Sequence, residues 1–137
     1  MRIAYLPQIG KLMEWMRGYV SESMSSGTRY ALARRAAADG KVRLLDRAMN
    51  TVDASGGRLV LRVPDVRPGL SRDFLVRIRA TAETELSVEG AEGIEGDSPN
   101  ILGAVEAGAT ALVFFTEVEA GVFAVSRKTV ERIGLDG

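Results

Sequence analysis

Several short segments with an apolar residue at every second position set the tightest limit on what this chain can fold into. Arg58-Leu-Val-Leu-Arg-Val63 puts Leu59, Leu61 and Val63 on one side, and Pro64 ends the run. Phe74-Leu-Val-Arg-Ile-Arg79 turns Phe74, Val76 and Ile78 inward and Arg77 and Arg79 outward. Glu85-Leu-Ser-Val-Glu89 turns Leu86 and Val88 inward, and Ala111 to Thr116 and Val122 to Val125 are the last strongly apolar segments. A period of two belongs to the extended chain, whose successive side chains point to opposite faces. Val42 to Leu45 is a shorter candidate, and Glu119-Ala-Gly121 reads as a tight hairpin turn. Strands separated by Gly, Pro and Asp turns predict a mainly β fold, an antiparallel β-sandwich or a barrel-like body.

The N-terminus has a different period. Pro7 suits the first turn of a helix and Gly27 suits a stop. Between them Ile9, Leu12, Met13, Trp15, Met16, Tyr19, Val20 and Met24 fall within one half of a helical surface, opposite Lys11, Glu14, Arg17, Gly18, Ser21 and Glu22. An amphipathic helix is therefore predicted over about Pro7 to Met24. Residues 1–27 form an N-terminal helical segment and residues 28–137 a β-rich domain, with Ser25-Ser-Gly27 as the hinge. Ile9, Met13, Met16 and Val20 also step 4-3-4, as in a short coiled-coil seam. So wide an apolar arc needs cover, from the chain's own body or from other copies. Ile9, Leu12, Met13, Trp15, Met16, Tyr19 and Val20 are the expected interface residues. Thr28 to Asp39 has two readings: an Ala- and Arg-rich helix stopped by Gly40, or an entering strand through Tyr30, Leu32 and Arg34.

Composition narrows the chemistry. The chain has 137 residues, room for one domain with a real core, and its 46% hydrophobic and 26% charged residues are the balance of a globular protein rather than a disordered one. It contains neither histidine nor cysteine. That excludes Ser-His-Asp and Cys-His catalysis, disulfides, and zinc sites built on imidazole or thiolate. Gly96-Asp97-Ser98 resembles the nucleophile block of GDS-type esterases, which need a histidine base, so it reads as a loop turned by Gly96, Asp97 and Pro99. Glu83, Glu85, Glu89, Glu92, Glu95 and Asp97 match no calcium loop and read as solvent faces of strand and loop. No catalytic, cofactor-binding or metal-binding residue is assigned, and the chain is not expected to be an enzyme or to carry a cofactor. No apolar run approaches the roughly 20 residues that cross a bilayer, so no membrane partner is expected.

Net charge is zero, but residues 1–80 hold 15 Lys and Arg against 7 Asp and Glu, while residues 81–137 hold 3 against 11. Neighbouring segments in the fold could neutralise each other, or copies of the chain could attract head to tail. The basic stretch Arg29, Arg34, Arg35, Lys41, Arg43 and Arg47 has Tyr30 as its one aromatic and no recognised nucleic-acid motif, so nucleic acid is not the expected partner. The Arg72-Asp73 pair before Phe74 reads as a structural fixing of the turn at a strand start.

Leu45 to Val52, Arg58 to Pro64, Ser71 to Ile78, Phe114-Phe-Thr-Glu-Val118 and Gly121 to Lys128, in this order, resemble small β-domains encoded in phages and prophages of gut bacteria, found in tail or other virion-associated proteins. The resemblance spans roughly residues 41–130. It implies a structural or assembly role, located in the virion or in the host cytoplasm before assembly. Partners would be further copies, with a trimer favoured, or other phage structural proteins. A β-sandwich binding module for a protein or glycan ligand is the alternative.

Overall fold

A computed structural model describes residues 30–131 of the chain. The helix predicted over Pro7 to Met24 and the interface residues on it lie outside these residues. The described chain forms ten strands: β1 (Ala31–Arg35), β2 (Lys41–Arg43), β3 (Ala48–Ala54), β4 (Gly57–Arg62), β5 (Asp73–Ala80), β6 (Thr84–Glu89), β7 (Gly93–Glu95), β8 (Ala104–Val105), β9 (Ala109–Glu119) and β10 (Val122–Glu131). They build one six-stranded sheet, in the order β1-β3-β5-β9-β10-β7, and one four-stranded sheet, in the order β2-β4-β6-β8.

The fold is mainly β, as predicted, but the sheets are mixed rather than antiparallel. Strands β1 to β6 alternate between the two sheets, and each lies parallel to the strand two before it. Thus β1 pairs with β3, β3 with β5, β2 with β4, and β4 with β6. Parallel neighbours need a crossover; here each crossover is simply a strand of the opposite sheet. The connections are arches rather than hairpins, so strands joined in sequence share side-chain contacts across the core instead of backbone bonds. At the first arch Asp39 and Gly40 both hold positive φ, 54° and 75°, which brings Lys41 back to exchange backbone bonds with Ala38. Only the last part of the chain is antiparallel: β9 against β5, the β9–β10 hairpin, and β8 against β6. Gly121 closes that hairpin at φ 78°, and a Cβ there would meet Glu92 Cγ at 2.9 Å.

The ambiguous segment 28–39 resolves in favour of a strand over Ala31–Arg35. Its helical propensity loses to the backbone bonds that β3 offers along its full length.

Both sheets fill one core. The six-stranded sheet contributes Val52, Phe74, Val76, Ile78, Ala111, Val113, Phe115, Phe123 and Val125, and the other sheet and its flanks Val42, Leu44, Leu59, Leu61, Val63, Leu86 and Val105. Phe74 and Phe115 stack at 4.8 Å, and Phe123 meets both edge-on at 5.8 and 6.3 Å. Such aromatic pairs add about 0.5–1.5 kcal/mol each beyond simple burial.

Candidate functional site

The most heavily connected polar group lies at the end of the sandwich where β5 begins and β9 ends. Arg72, just before β5, is 3% exposed. Its Nε and Nη2 donate to Glu117 Oε1 and Oε2 at 3.1 and 2.7 Å, and its Nη1 donates to the carbonyl of Pro64 at 2.8 Å. The backbone N–H groups of Arg72 and Gly121 donate to the same carboxylate, at 2.9 and 2.8 Å. The guanidinium also lies 4.9 Å from the centre of the Phe123 ring. Arg72's hydrogen bonds, with its charge and two backbone donors, hold the Glu117 carboxyl at about 2, although burial pushes the other way. The same bond raises Arg72 above the ordinary guanidinium value. Both oxygens of Glu117 accept two bonds each from the protein itself. The arrangement therefore acts as a brace that ties the 63–72 connection, the start of β5 and the β9–β10 turn together.

Asp73 faces the other way and uses other partners. Tyr30 Oη donates to its Oδ2 at 2.9 Å, Thr116 Oγ1 donates to its Oδ1 at 2.9 Å, and Arg47 Nη1 lies 4.0 Å off. Burial raises this carboxyl above its ordinary range, while the bonds from Tyr30 and Thr116 oppose the rise. Asp46 Oδ1 accepts from the backbone N–H groups of Asp73 and Arg47, at 2.8 and 2.9 Å. The Arg72-Asp73 pair thus does fix a strand start. It does so through Glu117, Tyr30 and Thr116, all distant in sequence, and no local signal pointed to them.

A second polar device is Arg127 on β10. It donates from Nη1 to the carbonyl of Leu102 and from Nη2 to that of Ala104 at 2.6 Å, pinning the loop before β8. Burial draws this guanidinium below its ordinary range.

An open groove of about 940 Å³ lies between β6 and β7, walled by the 96–102 loop. Leu86, Val88, Ile94, Ile101 and Leu102 give it an apolar floor, and Ser87, Glu95, Asp97, Ser98 and Asn100 give it a polar rim. Gly96-Asp97-Ser98 lies on this wall as a loop. The acidic stretch is dispersed: Glu85 pairs with Arg58 and Glu89 with Lys41 and Arg62, while Glu92, Glu95 and Asp97 stay exposed. Among the described residues no three acidic side chains group as a metal site would require.

The expected interface residues Ile9, Leu12, Met13, Trp15, Met16, Tyr19 and Val20 all lie outside the described residues. Comparison with family models, with characterised proteins and with solved structures finds no match.

Proposed function

We propose that this chain is a non-enzymatic structural and assembly protein of the phage or prophage type, a tail or other virion-associated component. Its sandwich is the building block, and its N-terminal segment joins copies through Ile9, Leu12, Met13, Trp15, Met16, Tyr19 and Val20. The observation that carries this reading is the Arg72–Glu117 brace. The most elaborate polar constellation of the body has every carboxylate oxygen engaged by the protein, which suits a rigid block and leaves nothing free to act on a substrate.

The test is the mass of the full chain in solution by light scattering, in about 1 M salt, where charge attraction is screened to about 3 Å. A salt-resistant oligomer, a trimer foremost, is expected for the native sequence, and a monomer for Met13→Glu/Met16→Glu. A native chain that is monomeric at every concentration would sink the reading.

A second reading, a binding module, rests on the groove between β6 and β7. Its lining includes no aromatic residue, which favours a protein partner over a glycan.

A further inference from the structure

The opposite charges of the two halves of the chain end up on opposite margins of the sandwich. On one margin lie β1 and β2, the outermost strands of their sheets, and the arch between them. This margin carries Arg34, Arg35, Lys41 and Arg43 against Asp39. Lys41 and Arg43 reach Glu89 and Asp65 at 3.2 and 3.7 Å, while Arg34 and Arg35 have no ion-pair partner among the described residues. On the other margin lie β7 and β8, again outermost in their sheets. The run from Gly90 to Gly108 that builds it holds Glu92, Glu95, Asp97 and Glu106 and no Lys or Arg. None of these four has an ion-pair partner among the described residues either.

Among the described residues, both outer strands of the six-stranded sheet leave one side of their backbone without a strand neighbour, and a free edge of this kind is a template for another chain. Strand direction adds a second constraint. Because β1, β3 and β5 are parallel, and β9 is antiparallel to both β5 and β10, the strands β1, β3, β5, β10 and β7 all point one way. A copy shifted sideways without being turned over therefore brings its β7 alongside β1 of its neighbour, in parallel. Pairing β1 with β1 would set Arg34 and Arg35 against themselves, and pairing β7 with β7 would do the same to Glu95 and Asp97. Like charges across a strand pair repel. Of the contacts between edges of the six-stranded sheet, only β1 against β7 is attractive.

We propose that a second copy of this chain docks edge to edge, the basic β1–β2 margin of one copy against the acidic β7–β8 margin of the next. The partner is fixed by charge complementarity and by the common strand direction. The contact is head to tail, so it repeats: each copy adds six strands, about 29 Å, to a continuing sheet, and the sheet's twist decides whether the row closes as a ring or winds as a filament. This extends the assembly reading to a surface separate from the N-terminal segment.

The test uses two full-length variants. Arg34→Glu/Arg35→Glu turns the basic margin acidic, and Glu95→Lys/Asp97→Lys cancels the net charge of the acidic margin, two lysines standing against Glu92 and Glu106. Both alter exposed or half-buried side chains, and circular dichroism checks that each remains folded. Mass is measured by light scattering in about 0.01 M salt and again in about 1 M, where the Debye length falls from about 30 to about 3 Å. The native chain is expected to gain mass at low salt beyond its high-salt state, with an association at least about tenfold weaker at high salt. Each variant alone is expected to lose that gain, and an equal mixture of the two to recover part of it as pairs, through the unaltered basic margin of one and the unaltered acidic margin of the other. A native chain with no salt-dependent gain, variants that associate like the native chain, or a mixture that stays dissociated would each overturn the proposal. The high-salt mass and its response to Met13→Glu/Met16→Glu report on the N-terminal segment alone, so either surface can fail without the other.

Discussion

At the scale of residues, burial and charge meet at Glu117. Its carboxyl sits at about 2 in the folded chain against an ordinary 4.5, a difference equivalent to roughly 3 kcal/mol of stability. A carboxyl lowered by folding gives its stabilisation above pH 4.5 and loses it as pH falls toward 2. Asp73 works in the opposite sense: burial raises its folded value, so the folded chain gains relative stability as that carboxyl takes up a proton. Glu117→Gln leaves Arg72 buried without its counter-charge and is expected to cost about 3–5 kcal/mol in urea unfolding near neutral pH. The gap between variant and native chain should narrow by about pH 3, where the carboxyl of the unfolded chain is already protonated while that of the folded chain is still ionised. A gap that stays constant with pH would mean that the brace acts by packing rather than by charge. Of this site only the Arg72-Asp73 pair was visible in the sequence. Glu117, 45 residues further on, looks like one more solvent-facing glutamate of a strand end, and only the fold brings it to Arg72.

At the scale of elements, strands were legible where large apolar residues alternate. β4, β5, β6, β9 and β10 follow the pattern read in their sequences, and the hairpin predicted at Glu119-Ala-Gly121 joins the last two. β3 went unseen because its inward residues are Ala48, Asn50, Val52 and Ala54, too small and too polar to mark a face. Asn50 is nonetheless fully buried. Its Oδ1 accepts from the Leu45 N–H at 2.9 Å, and its Nδ2 donates to the carbonyls of Leu45 and Leu75 at 3.1 and 3.0 Å. The side chain stands in for a strand partner and holds the arch between β2 and β3. Asn50→Leu, similar in size, leaves those backbone groups unpaired and is expected to cost roughly 2 kcal/mol or more. Faster amide exchange at Leu45 would accompany it, and unchanged exchange there would count against the role. Strands β7 and β8 have three and two residues, too few for any period to show. Parallel pairing was illegible for a different reason. A strand with one buried face alternates in the same way whichever direction its neighbour runs, so alternation cannot tell an arch from a hairpin.

At the scale of the whole molecule, the uneven charge read along the sequence becomes a spatial polarity. Zero net charge conceals one basic and one acidic margin, because the strand order sends the first strands to one side and β7 and β8 to the other. The same strand order settles how the body would respond to pulling. The 29 residues before Tyr30 join the start of β1, and residues 132–137 follow the end of β10. These two strands run in the same direction, so force applied through the two termini acts along the strand axes in opposite senses. The five-residue ladder between β1 and β3 is then loaded in shear, with its bonds sharing the strain, rather than unzipped one at a time from an end. Single-molecule extension through the termini should therefore show a distinct resisting peak, larger than that obtained by pulling across the β9–β10 hairpin from residues 109 and 131. Equal forces in the two directions would contradict it. A block with that response transmits tension along its strands rather than peeling open from one end.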